Sequence, residues 1–298
     1  MRPIALILAL LVPMLACAPV AGDDDPTPGP EAQPDAPADL AELTDGECPD
    51  LSGSGTSTFS SFGIDRTVTV LMPDDAPAGL PVMFFWHALG TPPSYWIDAF
   101  SLDDFAEDNN IIVVVPESRP GELFEWDWVN PLEGDAQLYD DLRTCVVEEL
   151  DADTTRVYAA GFSAGAVWTT WLAMHRADTL ATVFSMSGGT VVNLPYAEPA
   201  RKLPVFLMSG GPTDVWPDQQ LPLADFETAT QDFSASLRED GHFVVQCLHN
   251  YGHTPGPGSE GMMEDWLLVH TFDVASPWNG GDRSGDDFED YCWLPEID

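Results

Sequence analysis

Positive charge is what this 298-residue sequence has least of. Ten Lys and Arg stand against 50 Asp and Glu, a formal net charge of −40, and Lys202 is the only lysine. A nucleic-acid partner needs clustered cations along its phosphate backbone, so the composition argues against one. Docking by charge onto anionic lipid is disfavoured for the same reason. Long apolar runs are missing as well. The longest, Ile4 to Leu15, falls well short of the roughly 20 residues that cross a bilayer. Cysteine is sparse, at five residues, and no CxxC spacing or internal repeat occurs. What is present is a hydrophobic fraction of 44% and an aromatic fraction of 10%, enough to build the core of one large domain or two small ones.

The chain opens with Arg2 and the apolar run, which residues 1–16 combine into a secretory signal. Met14-Leu15-Ala16-Cys17 resembles a bacterial lipobox and implies a lipidated Cys17. The alternative is an ordinary signal peptide with Cys17 removed or left free. Residues 17–47 are rich in Pro and Asp and poor in large apolar groups, so they are expected to form an extended, disordered tether. The expected location is outside the cell, either lipid-anchored to the bacterial cell envelope or secreted. Membrane contact is expected through the lipid alone. Cys48, Cys145, Cys247 and Cys292 remain, an even number in an exported chain, which suggests two disulfides with three connectivities open.

Residues 48–298, with an acidic tail at 273–298, alternate short apolar runs with longer mixed segments. Strands are expected at 68–72, 82–86, 111–115, 156–160, 182–186, 205–208 and 243–248. Helices are expected at 94–107, 135–150, 164–176, 222–239 and 259–271. Most strand runs are continuously apolar, as in a sheet covered on both faces. Alternation of this kind predicts an α/β fold with a mostly parallel central sheet flanked by helices, its chemistry on loops at the carboxyl ends of strands.

One such loop holds Gly161-Phe162-Ser163-Ala164-Gly165, a G-x-S-x-G sequence between an expected strand and an expected helix. A sharp strand-to-helix turn presents the middle serine, and side chains two residues either side would collide there. A serine hydroxyl becomes a nucleophile only with a base, and the base needs an orienting carboxylate. In α/β-hydrolases the acid and then the histidine follow the serine. His253 lies past the last strand, behind Gly252, with His249 as its competitor in the same loop. His175 lies inside the helix expected after Ser163, about three turns away, and His242 and His270 read as structural. Asp214 follows the 205–208 strand, with Asp218 as its competitor. Backbone N–H groups of Ala164 and of Ala88 or Leu89 are the expected oxyanion donors. His87 reads as a support for that second loop.

Four stretches now carry a family resemblance: PVMFFWHALG at 81–90, IIVVVPES at 111–118, DTTRVYAAGFSAGA at 153–166 and YGHTPGPG at 251–258. From about 81 to 266 the chain resembles the secreted esterases that include poly(3-hydroxybutyrate) depolymerases, feruloyl esterases and acetylxylan esterases. Asp135 also matches that family's helix start before the nucleophile strand. The resemblance implies an α/β-hydrolase fold and a triad of Ser163, Asp214 and His253, with no metal or cofactor. Two departures are visible. Ala88 stands where the family has Gly, adding a methyl expected beside the oxyanion site, and Ser209 stands where the family has His. The usual sheet of that fold, with N-terminal strands at one edge and the last strand at the other, implies the pairs Cys48–Cys145 and Cys247–Cys292. Trp126, Trp128 and Trp216 are expected around an apolar acyl or aryl pocket, with ordinary loop packing as the alternative. The function expected is that of an exported serine ester hydrolase, a monomer acting on a small or polymeric ester. A peptidase of the same fold and a non-catalytic surface lipoprotein remain the alternatives.

Overall fold

The computed structural model describes residues 36–119, 126–128, 134–217, 224–279 and 288–294. Along the chain its strands are β1 (Gly55–Ser61), β2 (Ile64–Leu71), β3 (Val82–Trp86), β4 (Ile112–Pro116), β5 (Val157–Phe162), β6 (Thr182–Met186), β7 (Val205–Ser209), β8 (Val215–Trp216), β9 (Ala224–Asp225), β10 (Val244–Leu248) and β11 (Cys292–Trp293). Nine of them form one sheet in the order β1-β2-β4-β3-β5-β6-β7-β10-β11, while β8 and β9 pair separately. β3 through β7 and β10 run parallel; β1, β2 and β11 are antiparallel additions at the edges. This is the α/β-hydrolase architecture that the sequence implies.

Alternation along the strands makes the sheet apolar on both faces. Val82, Phe84 and Trp86 of β3 enter one core cluster, and Met83 and Phe85 enter the other. The first face is covered by α3 (Gly134–Leu150), α4 (Ala164–His175) and α5 (Phe226–Glu239), the second by α1 (Pro93–Ala99), α2 (Leu102–Asn109) and α6 (Ser259–Leu267). The helix expected over 94–107 is thus two helices. Phe100 turns into the core against Phe85 and Trp96, at 5.4 and 5.9 Å between ring centroids, and Ser101 adopts φ 44 between the helices. The helix expected from Pro222 starts at Phe226, where the Asp225 side chain accepts the Thr228 N–H at 3.0 Å as a cap. Pro222 lies outside the described residues.

Both disulfides are formed, Cys48–Cys145 and Cys247–Cys292. The first ties the segment before β1 to α3. The second joins directly opposed residues of β10 and β11. The free tether expected as far as Glu47 is corrected by the bonds of its last residues. Arg143 of α3 donates to the carbonyls of Ala38 and Asp39, Thr144 to that of Ala41, and the Asp141 carboxylate accepts from Thr44. These α3 side chains are buried, and the extended backbone laid over them supplies the polar partners they need. Residues 1–35, including the signal and Cys17, lie outside the described residues. The acidic tail is likewise part of the fold where it is described. β11 extends the sheet, and Phe288 packs on Phe206, Trp266 and Trp278.

Candidate active site

β5, β6, β7 and β10 are neighbours in the sheet, so the loops at their carboxyl ends share one rim. Ser163 stands at the turn from β5 into α4 with φ 54 and ψ −119, a conformation a serine holds only when its surroundings enforce it. Its N–H donates to Met186 O of β6 at 2.9 Å. The two glycines are there for the steric reason the motif suggests. A Cβ on Gly161 would lie 2.6 Å from Gly165 O, and one on Gly165 would overlap the Trp86 carbonyl of β3.

The structure brings Ser163, His253 and Asp214 together. Ser163 Oγ and His253 Nε2 are 2.8 Å apart, and His253 Nδ1 and Asp214 Oδ1 are 2.6 Å apart. Asp214 is fully buried. The imidazole lies between Phe226, stacked within 13° at 4.7 Å, and Phe162 at 4.9 Å. His249 and His253 stand four residues apart, a spacing two metal ligands can share, but both nitrogens of His253 are engaged by Asp214 and Ser163. His249 Nδ1 accepts the Tyr251 N–H, and burial holds its pKa below the ordinary value. Asp218 lies outside the described residues. His175 sits at the end of α4 against Trp171; His242 and His270 are buried elsewhere in the domain.

The loop after β3 is held by its carbonyls. Ala88 O accepts from the Thr91 N–H, the Thr91 hydroxyl at 2.8 Å and His87 Nδ1 at 2.9 Å. His87 O accepts from the Trp126 indole at 2.9 Å, and His87 Nε2 accepts the Ser118 N–H. His87 therefore supports the loop, as expected of it. Across a trans peptide the N–H points opposite to the carbonyl, so these bonds orient the N–H groups of Ala88 and Leu89. The Ala88 methyl belongs to the core cluster that holds Trp96 and Phe85.

A cavity of about 120 Å³ opens beside Ser163 and Ala164. Leu89, Trp128, Val167, Val191, Trp216 and Phe226 supply most of its wall, so Trp128 and Trp216 stand where the pocket expectation puts them. Trp126 does not line it. Its ring packs edge-on against Trp86 at 5.0 Å, and its N–H is spent on His87 O, which makes it a brace under the loop.

With this geometry in view, the chain can be set beside known proteins. Over 219 residues it is 31% identical to feruloyl esterase B of Thermothelomyces thermophilus, a match covering 70% of this chain and 68% of that one. The chain belongs to that esterase family. A bifunctional acetylxylan esterase/xylanase of Neocallimastix patriciarum is 26% identical over 201 residues; the match takes in 66% of this chain but only 28% of the relative's length. No family model matches. Among solved structures, native pOPH is similar in fold, with a TM-score of 0.65 at 17% identity over 85% of this chain and 98% of that one.

Several residues of this family member's site escape motif reading. Asp214 Oδ2 accepts both the Ser187 hydroxyl at 2.8 Å and the Gly210 N–H at 2.6 Å. Gly210 also accepts the Gly252 N–H at 2.9 Å, and a Cβ there would overlap Gly252 O, so the acid and base loops meet backbone to backbone. Asp135, noted only as a family match, forms a buried ion pair with Arg66 of β2 and accepts the Asp127 N–H at 2.7 Å. That bond fixes the turn carrying Trp126 and Trp128. Gly252 before His253 was a visible signal for that loop; nothing in the local sequence marks Ser187 as a partner of Asp214, or Asp135 as a partner of Asp127.

Proposed function

We propose that the chain is an exported serine carboxylic ester hydrolase that works through an acyl-enzyme. The reading is carried by the unbroken hydrogen-bond chain from Ser163 Oγ through His253 to Asp214, at the N-terminus of α4. Ser163 Oγ attacks the ester carbonyl carbon while His253 Nε2 takes the hydroxyl proton. Asp214 holds the ring by Nδ1 and stabilises the imidazolium. The carbonyl oxygen becomes an oxyanion facing the N–H groups of Ala164 and of Leu89 or Ala88. Collapse breaks the bond to the alcohol oxygen, which leaves with the proton from His253. Water then repeats the sequence on the acyl-enzyme, with His253 as base, and frees the acid and Ser163.

Apolar walls next to Ser163 suit a neutral acyl or aryl group, and the acidity of the chain disfavours an anionic ester. Feruloyl and acetyl esters are the first substrates to try, given the relatives' names. Two disulfides support an oxidising compartment, and a lipid on Cys17 is the proposed anchor. The test is labelling by a fluorophosphonate together with hydrolysis of a p-nitrophenyl ester. Ser163→Ala should abolish labelling and lower kcat by about 10⁴-fold or more. Labelling and turnover equal to the native protein would rule the mechanism out.

A further inference from the structure

We propose that Ser187 is a positioning residue whose hydroxyl fixes the Asp214 carboxylate, and through it His253; the proposal rests on the triad reading above. Ser187 follows β6 and is 1% exposed. Its N–H donates to Met208 O of β7 at 2.8 Å, which places its hydroxyl 2.8 Å from Asp214 Oδ2. Asp214 Oδ1 is taken by His253, so bonds at Oδ2 are what stop the carboxylate from turning about its Cβ–Cγ bond. Among the described residues two donors do this, the Gly210 N–H and the Ser187 hydroxyl. A carboxylate buried from water keeps its charge and its orientation only through such bonds.

The backbone at this position strengthens the inference. Ser187 has φ 56, in the left-handed region where a residue with a Cβ is strained. Gly188 and Gly189 follow directly, and Gly189 has φ 94. At Gly188 and Gly189 a Cβ would run into Ser185 Oγ and Ala229 O, so no side chain fits there, whereas Ser187 keeps its Cβ and hydroxyl at a strained position that faces Asp214. The hydroxyl lies behind the acid and not among the residues lining the pocket, so it acts on turnover and not on substrate binding.

Ser187→Gly is the direct test, because glycine accepts φ 56 without strain and only the hydroxyl is lost. With a neutral p-nitrophenyl ester, kcat should fall about tenfold and KM should stay unchanged. In an Asp214→Asn background the same substitution should lower kcat less than about twofold further, since the hydroxyl acts through the carboxylate. Ser187→Ala should show the same split if the glycine variant folds poorly, folding being checked by circular dichroism. Native kcat in Ser187→Gly and Ser187→Ala, with Asp214→Asn impaired, would overturn the proposal and leave the triad standing. Equal losses in both backgrounds would also overturn it. Native kcat in Asp214→Asn would defeat the triad reading, and this proposal with it.

Discussion

Ser163 keeps its strained conformation because its neighbours leave the chain no other path. Gly165 lies so close to β3 that a methyl would meet the Trp86 carbonyl, and β3 is a central strand with both faces buried. Gly165→Ala is therefore expected to lower stability by about 3 kcal/mol or more, read as a fall in thermal midpoint and in folded yield. A variant that melts with the native protein would show that the elbow can open. Two other residues tie stability to acid. Burial holds His242 and His270 at pKa values of about 4, against an ordinary 6.5. The unfolded chain then binds more protons than the folded one between those values. Their contribution is complete above pH 6.5 and is lost as pH falls towards 4, a few kcal/mol between them. Denaturant midpoints across that window should fall with pH, and His242→Asn should flatten the slope. The three side chains of the proposed triad were legible from one motif and chain order. Ser187 was not, because it meets Asp214 from 27 positions away, and Trp126 was misplaced because its indole partner is a backbone carbonyl that no pattern announces.

At the scale of elements, the buried parallel strands are the legible part. Their runs are mostly apolar because both faces are buried, and the buried Thr182 and Ser185 of β6 are accommodated by donating to the carbonyls of Pro204 and Ala166. β1 is polar on its outer face, and β8, β9 and β11 have two residues each, too short for any period to show. Their pairing is decided by what lies beside them. The same holds for the segment from Ala38 to Thr44, polar enough to read as tether yet bound along α3. Cys48–Cys145 pins the end of that segment and closes a loop of 97 residues. Replacing both cysteines by serine should cost about 3–5 kcal/mol, seen as a lower denaturant midpoint without a change in KM. An unchanged midpoint would mean that the Arg143 and Asp141 bonds suffice to hold the segment.

Charge belongs to the whole molecule. Residues 18–47 carry nine of the 50 acids, so residues 48–298 hold 41 acids and nine cations, a net −32. The field is thus a property of the catalytic domain. An ester bearing a carboxylate should be repelled at low salt, and its kcat/KM should rise several-fold as ionic strength goes from about 0.02 to 0.5 M. A neutral ester should change less than about twofold over that range. Turnover of a neutral ester that collapsed on adding salt would show that the field helps bind it.

Neighbouring residues and overall composition are enough to specify the strand and helix alternation, the motif at Ser163, the order of the proposed acid and base, and the acidity. The tertiary structure alone decided which donors hold Asp214, which tryptophans face the pocket, how the first helix breaks and where the domain begins. Those outcomes depend on groups that are distant in the chain and meet only when buried polar atoms must find partners and buried rings must fill space.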